Sequence, residues 1–175
     1  MQENVILVNP KDEEIGIMEK LEAHRKGLLH RAFSVFIFNS RGEFLLQKRA
    51  ESKYHSPGLW TNTCCSHPKP GEDILKAANR RLWEEMGLKT NLEHKFSFVY
   101  KTTFENGLTE HEFDHVFFGY TEVTPQPNVT EVGDWRFCSA NNLKIELQES
   151  PSGFTEWFKI CFERVLVHLG NQSFK

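Results

Sequence analysis

The sequence lacks the features that mark several specialised classes of protein. It has no basic surplus, since 21 Lys and Arg face 24 Asp and Glu for a net charge of −3, whereas a general nucleic-acid binder carries an excess of positive charge. It has no apolar run near the roughly 18 residues that cross a bilayer. Only 4 of its 175 residues are cysteine, too few for a disulfide scaffold. We therefore expect neither a nucleic-acid nor a membrane partner.

The amino terminus also lacks a targeting signal. The residues Met1-Gln2-Glu3-Asn4 are polar and acidic, whereas a secretory signal starts with basic residues and continues with an apolar stretch. We expect a cytoplasmic protein whose cysteines are thiols. The length of 175 residues predicts a single domain over 1–175, because domains typically hold roughly 100–200 residues.

Histidine and aromatic residues are what the sequence has in surplus, with 8 His and 15 Phe. Alternating apolar residues and turn signals predict strands at 5–8, 15–18, 30–38, 43–48, 60–67, 95–103, 109–120 and 134–138. A 3.6-residue period predicts helices at 19–25, 73–86 and 154–169. Strands around one central helix, with another helix at the end, predict a mixed α/β or α+β sandwich.

The central predicted helix carries the first chemical signal. Glu84 and Glu85 are adjacent on its last turn, and adjacent carboxylates favour a hard cation such as Mg²⁺, particularly when a diphosphate completes the coordination. Alternatively, Arg80–Glu84 and Arg81–Glu85 form i,i+4 ion pairs on a solvated face, worth about 0.2–0.5 kcal/mol each. The pattern alone slightly favours the ion pairs, and both interpretations stay open.

The segment from Ser66 to Leu88 resembles the Nudix box, the loop–helix–loop signature of the Nudix superfamily. Six residues stand where the box expects them: Glu72, Arg80, Glu84, Glu85, Gly87 and Leu88. Ser66 replaces the opening glycine, and Arg81 replaces a glutamate that helps to hold catalytic metal in the hydrolases. The resemblance implies a Nudix fold, with the box on the central helix, while Arg81 argues against diphosphate hydrolysis.

Strand alternation selects a second group of polar residues. Neighbouring side chains of a strand point to opposite faces, so Cys65 and His67 share one face and Cys64 takes the other. If His67 is functional, Cys65 is expected to join it, while Cys64 packs. In the same way Glu110 and Glu112 share one face of their strand.

Two further histidines can approach this group from the N-terminal segment. His24 and His30 flank Gly27, which interrupts the predicted helix, so the two imidazoles can meet from a loop and a strand. The resulting candidate metal ligands are His24, His30, His67, Glu110 and Glu112. Three nitrogens and two carboxylates suit Zn²⁺, Mn²⁺ or Fe²⁺. The spacing is not a compact metal motif, and any one of these histidines is more often an ordinary hydrogen-bonded residue.

The sequence from about Val5 to Phe162 resembles the type 1 isopentenyl diphosphate isomerase family, which has the Nudix fold. The Trp60-Thr61-Asn62 run that leads into Cys-x-His-Pro is not a general Nudix feature. The matching runs are Glu19-Lys20 to His24, His30-Arg31-Ala32-Phe33-Ser34, Lys48-Arg49-Ala50 with Ser52-Lys53, Pro57-Gly58-Leu59-Trp60-Thr61-Asn62, Cys65-Ser66-His67-Pro68, Glu110-His111-Glu112 and Phe154-Thr155-Glu156-Trp157.

The resemblance implies that a small molecule, isopentenyl diphosphate, is converted to and from dimethylallyl diphosphate through a carbocation. A proton is added to the alkene and another is removed elsewhere. Cys65 and Glu112 are implied as the acid–base pair, Tyr100 as an aid to proton transfer and Trp157 as the aromatic face that stabilises the cation. Without the resemblance, Tyr100 and Trp157 would be interpreted as packing residues.

The resemblance also implies two metal sites and an anion site. One Mn²⁺ or Zn²⁺ is expected at the five His and Glu ligands, with residues 1–29 contributing to the site. A Mg²⁺ ion is expected with the diphosphate, at Glu85 and the carbonyl of Cys65. The implied diphosphate anchors are Lys20, Arg49, Lys53, Ser66 and Arg81. A monomer or weak dimer is expected.

Two other functions are compatible with parts of the sequence. The box residues Glu72, Arg80, Glu84 and Glu85 allow a Nudix hydrolase of a nucleoside diphosphate derivative. The three histidines His24, His30 and His67 allow a non-catalytic binding module that zinc stabilises.

Overall fold

The protein is described by a computed structural model over residues 3–53 and 55–170. Met1, Gln2, Tyr54 and residues 171–175 lie outside the described residues, so the predicted domain over 1–175 reaches beyond them at both ends. The described strands are β1 Asn4–Val8, β2 Glu14–Glu19, β3 His30–Phe38, β4 Phe44–Arg49, β5 Trp60–Thr61, β6 Cys64–Ser66, β7 Glu93–Thr103, β8 Thr109–Tyr120 and β9 Val132–Cys138. The described helices are α1 Lys20–Lys26, α2 Ile74–Met86, α3 Ala140–Glu149 and α4 Glu156–Gly170.

Strand β3 occupies the centre of a mixed sheet. It pairs antiparallel with β1, β4 and β6, and parallel with β8. Strand β2 extends the sheet beyond β1, β7 pairs with β8, and β5 and β9 pair with β4. This mixed sheet with its helices confirms the predicted α/β fold class.

A hydrophobic core lies on each side of the sheet. Helix α2 buries Ala78, Leu82 and Met86 in one cluster, which also contains Cys64. Helix α4 buries its apolar face in the other cluster, where much of the phenylalanine surplus packs. The predicted position Leu75 does not join the first cluster, because it lies on the outer side of α2 and is 40% exposed.

The predicted strand 60–67 is wrong as a single element. Its first part, β5, pairs with β4, whereas its second part, β6, pairs with β3. Thr63 lies where the chain crosses between these neighbours. Its Oγ1 donates to the Leu45 carbonyl at 2.6 Å and accepts from the Ile37 amide at 2.9 Å. A polar side chain thus satisfies main-chain groups that a continuous strand would have paired.

The carboxyl-terminal part contains a helix that the periodicity does not predict. Helix α3 begins after Ser139, whose side chain accepts from the Asn142 amide, and it buries Leu143 alone. A helix with such a narrow apolar face gives a weak periodic signal. Helix α4 begins two residues later than predicted, at Glu156. No helix in the described ranges is both long and apolar enough to cross a membrane.

The ends of α2 position the segment that resembles the Nudix box. Asp73 caps its amino end by accepting from the Lys76 amide at 3.0 Å. Gly87 ends the helix with a φ of 63° and donates its amide to the Trp83 carbonyl. A β-carbon at Gly87 would lie 2.7 Å from the Gln126 carbonyl oxygen, so the chain requires glycine here for both conformation and space.

We predict that Gly87→Ala destabilises the protein more than Gly71→Ala does. Both glycines have a left-handed φ, and a left-handed conformation costs an L-residue roughly 1–2 kcal/mol. A β-carbon at Gly71 meets nothing within 4 Å, whereas the one at Gly87 collides with backbone. Urea unfolding of the two variants measures the difference. Equal losses in the free energy of unfolding would show that the close approach to Gln126 is unimportant.

Candidate active site

A cavity of 720 Å³ opens beside the central strands. Its walls come from both the N-terminal segment and the sheet. All but one of the predicted site residues line it: Lys20, His24, Arg49, Lys53, Cys65, Ser66, His67, Arg81, Glu85, Tyr100, Glu110, Glu112 and Trp157. The exception is His30, which is fully buried next to His24 and His67.

Strand pairing brings the imidazoles and a carboxylate together. The parallel register of β3 and β8 places His30 beside Glu112, and His67 follows directly after β6, which pairs with β3. Helix α1 adds His24. One ligand atom from each of these four residues lies within 4.8 Å of the others. All four side chains are buried, and the group could hold a metal ion.

The orientation of two imidazoles suits a metal ligand. His24 Nδ1 lies 2.6 Å from the Lys20 carbonyl oxygen, and His30 Nδ1 lies 2.8 Å from that of Leu28. Because a carbonyl oxygen only accepts, both rings carry the proton on Nδ1 and turn the lone pair of Nε2 elsewhere. His30 Nε2 is buried and has no hydrogen-bond partner among the described residues. An unsatisfied buried nitrogen of this kind fits a divalent metal, which it can coordinate.

Glu112 is the carboxylate at the centre of the group. Its Oε1 lies 3.0 Å from His67 Nε2 and 3.5 Å from His30 Nε2. Burial raises the pKa of Glu112, but the two imidazoles outweigh it and hold the pKa well below its usual range. Burial lowers the pKa of His67 to about 4. Near neutral pH an ionised Glu112 carboxylate therefore faces the neutral imidazole of His67, and these are the protonation states that bind metal.

Glu110 turns towards different partners. Its Oε1 lies 3.2 Å from His55 Nε2, and its Oε2 lies 3.2 Å from the Tyr100 hydroxyl. The Tyr100 hydroxyl also donates to Glu112 at 2.7 Å. The structure thus brings four of the five expected ligands together, while Glu110 adjoins them through Tyr100. Its assignment as a ligand stays a prediction.

The two adjacent cysteines face opposite sides of β6. Cys64 is fully buried in the core cluster under α2, whereas Cys65 packs against the other cluster and lines the cavity. This placement confirms the predicted alternation. Burial raises the pKa of the Cys65 thiol, so the thiol is protonated near neutral pH. All four cysteines are free.

The predicted diphosphate anchors line the cavity, and three of them, Lys20, Lys53 and Arg81, contact carboxylates. Lys20 Nζ lies 3.0 Å from Glu3 Oε2. Lys53 pairs with Glu131, whose carboxylate also lies 3.4 Å from Arg81 Nη2. Three cations that line one cavity suit an anionic ligand.

Arg81 and Glu85 contact each other directly. Arg81 Nη2 donates to Glu85 Oε1 at 2.5 Å, and Glu85 Oε2 accepts from Gln47 at 2.8 Å. Arg80 bonds to Glu84 at 3.1 Å and, through two nitrogens, to Glu72. Both predicted i,i+4 ion pairs of α2 are therefore present. The contact with Glu72 spans the helix start and ties the loop before it to the helix.

The indole of Trp157 is held at one wall of the cavity. Its Nε1 donates to Asn62 Oδ1 at 3.3 Å, while the Asn62 amide donates to the Cys64 carbonyl at 2.8 Å. The guanidinium of Arg49 lies 5.2 Å from the ring centroid. A buried amide thus links the position of Trp157 to the strand that carries Cys65.

Three residues of this region escaped sequence reasoning. His55 and Glu131 lie in loops, where no periodicity marks the direction of a side chain, and Asn62 lies at the unrecognised crossing between β5 and β6. For Asn62 a signal exists, since three successive polar residues, Thr-Asn-Thr, break the alternation of the predicted strand. No such signal marks the other two.

Comparison with known proteins places this geometry in a family. The NUDIX domain family matches residues 28–158. Isopentenyl-diphosphate Delta-isomerase 1 of Aromatoleum aromaticum is 52% identical over 166 residues, which cover 95% of this chain and 94% of the relative. Isopentenyl-diphosphate Delta-isomerase of Pectobacterium atrosepticum is 52% identical over 161 residues, which cover 92% and 90%.

Solved structures share the fold. DR0079 from Deinococcus radiodurans superposes with a TM-score of 0.77 at 20% identity, over 93% of this chain and 98% of that one. The MutT protein from Methanosarcina mazei gives a TM-score of 0.62 at 22% identity, over 78% and 91%. The fold is thus that of NUDIX proteins, and by the extent of its identity to the curated relatives the chain belongs to the isopentenyl-diphosphate Delta-isomerase family.

Proposed function

We propose that this protein interconverts isopentenyl diphosphate and dimethylallyl diphosphate by protonation and deprotonation through a carbocation. The observation that carries the proposal is the joint lining of one cavity by Cys65, Glu112 and Trp157, together with basic residues. Relatives that bear the isomerase name share about half of all residues with the chain.

The acid and the base differ in protonation state before substrate binds. Burial raises the pKa of Cys65, so its thiol holds a proton. Glu112 is ionised, because His30 and His67 lower its pKa. Tyr100 donates to Glu112, and burial raises its own pKa well above the usual range, so the phenol keeps its proton. One group can supply a proton while the other accepts one, as an allylic proton shift requires.

Trp157 supplies the surface that a carbocation needs. A tertiary cation has no lone pair to share with a protein acceptor, and the face of an aromatic ring attracts it electrostatically. The bond from Trp157 to Asn62 orients the indole. The proposed role of Trp157 therefore depends on a fixed ring direction rather than on packing alone.

The proposed metal ligands form two sets. His24, His30, His67, Glu110 and Glu112 would hold one Mn²⁺ or Zn²⁺. Glu85 and the carbonyl of Cys65 would hold Mg²⁺ together with the diphosphate. A bound cation supplies a Lewis acid that strengthens a ligated carboxylic acid and neutralises phosphate charge. The chain's own contribution is to aim the imidazoles of His24 and His30 by the bonds from Nδ1 to main-chain carbonyls.

We also propose that the whole chain acts as one unit, since Lys20 and His24 come from the segment before residue 28. The diphosphate is expected to bind Lys20, Arg49, Lys53, Ser66 and Arg81. Arg81 stands where the hydrolases of the superfamily carry a glutamate that helps to hold catalytic metal. For this reason the hydrolase alternative is not favoured.

We predict that Cys65→Ala lowers turnover of isopentenyl diphosphate by about 10²–10⁴-fold, the usual contribution of a general acid or base. Deuterium incorporation into the allylic product, in deuterated water with Mg²⁺, measures the loss. The matched control is Cys64→Ala, which removes a thiol from the opposite face of the strand. Full loss of turnover in the control, or none in Cys65→Ala, would contradict the assignment.

We predict that Mn²⁺ or Zn²⁺ raises the thermal midpoint of the metal-stripped protein, because an ion that binds only the folded state stabilises it. His67→Ala should abolish most of this increase. His94→Ala serves as the control, since His94 is exposed and lies outside the four-residue group. A midpoint that neither ion changes would rule out the proposed site.

We predict that Arg81→Ala raises KM for isopentenyl diphosphate by about 10- to 100-fold with a smaller effect on kcat, because a hydrogen bond to a charged group contributes roughly 1.5–3 kcal/mol to ground state and transition state alike. Arg25→Ala, an exposed arginine outside the cavity, provides the control. Release of inorganic phosphate by the wild-type protein would instead support the hydrolase.

A further inference from the structure

A third imidazole lines the cavity beside those of His24 and His67, and it comes from the loop between β4 and β5. The side chain of His55 is 12% exposed, and its Nε2 lies 3.2 Å from Glu110 Oε1. The ring lies beside Trp157, at a centroid distance of 5.8 Å, and 6.4 Å from the ring of His24. His55 therefore contacts the proposed ligand that stands apart from the four-residue group.

The loop holds His55 in this position through its main chain. The amide of Arg49 donates to the Leu59 carbonyl, and the amide of Gly58 donates to the Arg49 carbonyl, so the two ends of the loop are tied together. The His55 carbonyl accepts from Arg49 Nη2 at 3.2 Å. Two left-handed residues, Ser56 and Gly58, shape the turn that follows. The imidazole is thus presented by a closed loop with its own anchors.

Among residues 3–53 and 55–170, one side chain lies near each carboxyl oxygen of Glu110. His55 faces Oε1, and the Tyr100 hydroxyl faces Oε2. Tyr100 lies nearer to Glu112, at 2.7 Å, so its single proton is directed mainly there. Among the described side chains, His55 is therefore the one placed to donate a hydrogen bond to the buried carboxylate of Glu110. Carboxylates that bind metal characteristically receive such a hydrogen bond from a second residue, which sets their direction.

We propose that His55 is a positioning residue that acts through Glu110, donating from Nε2 to direct this carboxylate towards the His24, His30, His67 and Glu112 group. His55 does not itself bind the metal. The inference rests on the proposed metal site, and it adds to that site a residue from a loop that strand pairing alone does not place.

Metal affinity of the stripped protein tests this role without any need for turnover. Mn²⁺ titration, in competition with a chelating dye, gives Kd for the wild type, His55→Phe and His55→Gln. Phenylalanine keeps a ring beside Trp157 but cannot donate, whereas glutamine restores an N–H donor. We expect His55→Phe to raise Kd by about 10–100-fold, the usual effect of losing a partner of a metal ligand, and His55→Gln to recover most of the affinity.

A double-variant comparison separates positioning from general damage. If His55 acts through Glu110, then adding His55→Phe to Glu110→Gln should cause little further loss of affinity, because coupled residues are not additive. Full additivity, or wild-type affinity in His55→Phe, would overturn the proposal. His94→Phe provides the control for a lost surface histidine, and urea unfolding of each variant checks that the fold is retained.

The outcome also distinguishes this inference from the proposed activity. Metal affinity that depends on His55, in a protein without isomerase turnover, would support the positioning role and reject the function. Normal turnover and metal affinity in His55→Phe would support the function and reject the role. A changed KM for isopentenyl diphosphate with unchanged metal affinity would show instead that His55 is a wall of the substrate pocket, and would overturn the proposal.

Discussion

The parallel pairing of β3 with β8 is the contact on which the site depends. Its register sets His30 beside Glu112, and the antiparallel pairing of β6 with β3 then brings Cys65 next to Ser34. A shift of one residue in either pairing would turn these side chains to the opposite face of the sheet. Apolar residues continue both strands into the two cores, so hydrophobic burial at one end of the strands holds the polar groups in place at the other.

Burying many ionisable groups in one site normally costs free energy because charged forms lose water. Here the cost is reduced because several of these groups are neutral near neutral pH. Burial lowers the pKa of His67 to about 4 and that of His55 to about 3, so both rings are neutral. Burial also raises the pKa of Asp114 to about 8, while Ser34 donates to this carboxyl at 2.8 Å. The negative charge on this face of β8 is therefore concentrated on Glu112. The carboxyl of Asp114, two residues further along the strand, is mostly neutral.

Periodic sequence patterns predicted the parts of the molecule that regular elements position. The bounds of β3 and β8 agree with the prediction to the residue, because β3 is a nearly fully buried apolar run and β8 alternates along its first part. The same alternation distinguished Cys65 from Cys64. It failed at residues 60–67, since alternation does not reveal that a strand changes partners, and side chains such as Thr63 replace the lost main-chain bonds. The residue pattern offered the His and Glu ligand set as a candidate, whereas the roles of Tyr100 and Trp157 came from resemblance alone.

Loops and ion pairs account for the rest of what the sequence did not reveal. Glu131 and Glu3 pair with the expected anion anchors, and nothing in their sequence neighbourhoods indicates these long-range partners. Arg81 illustrates the converse, because a local i,i+4 rule predicted its pairing with Glu85 and the structure contains that pair. Contacts between residues close in sequence can thus be predicted from the sequence. Contacts between residues far apart in sequence become apparent only from the folded structure.

The position of α1 has a consequence for how relatives of this protein are compared. The NUDIX match begins at residue 28, after Lys20 and His24, although both line the cavity. The boundary of the shared domain and the boundary of the site therefore do not coincide. A sequence comparison restricted to residues 28–158 would leave out the imidazole of His24 and the ammonium group of Lys20. Two proteins with the same identity over that domain could therefore still differ in their capacity to bind a metal.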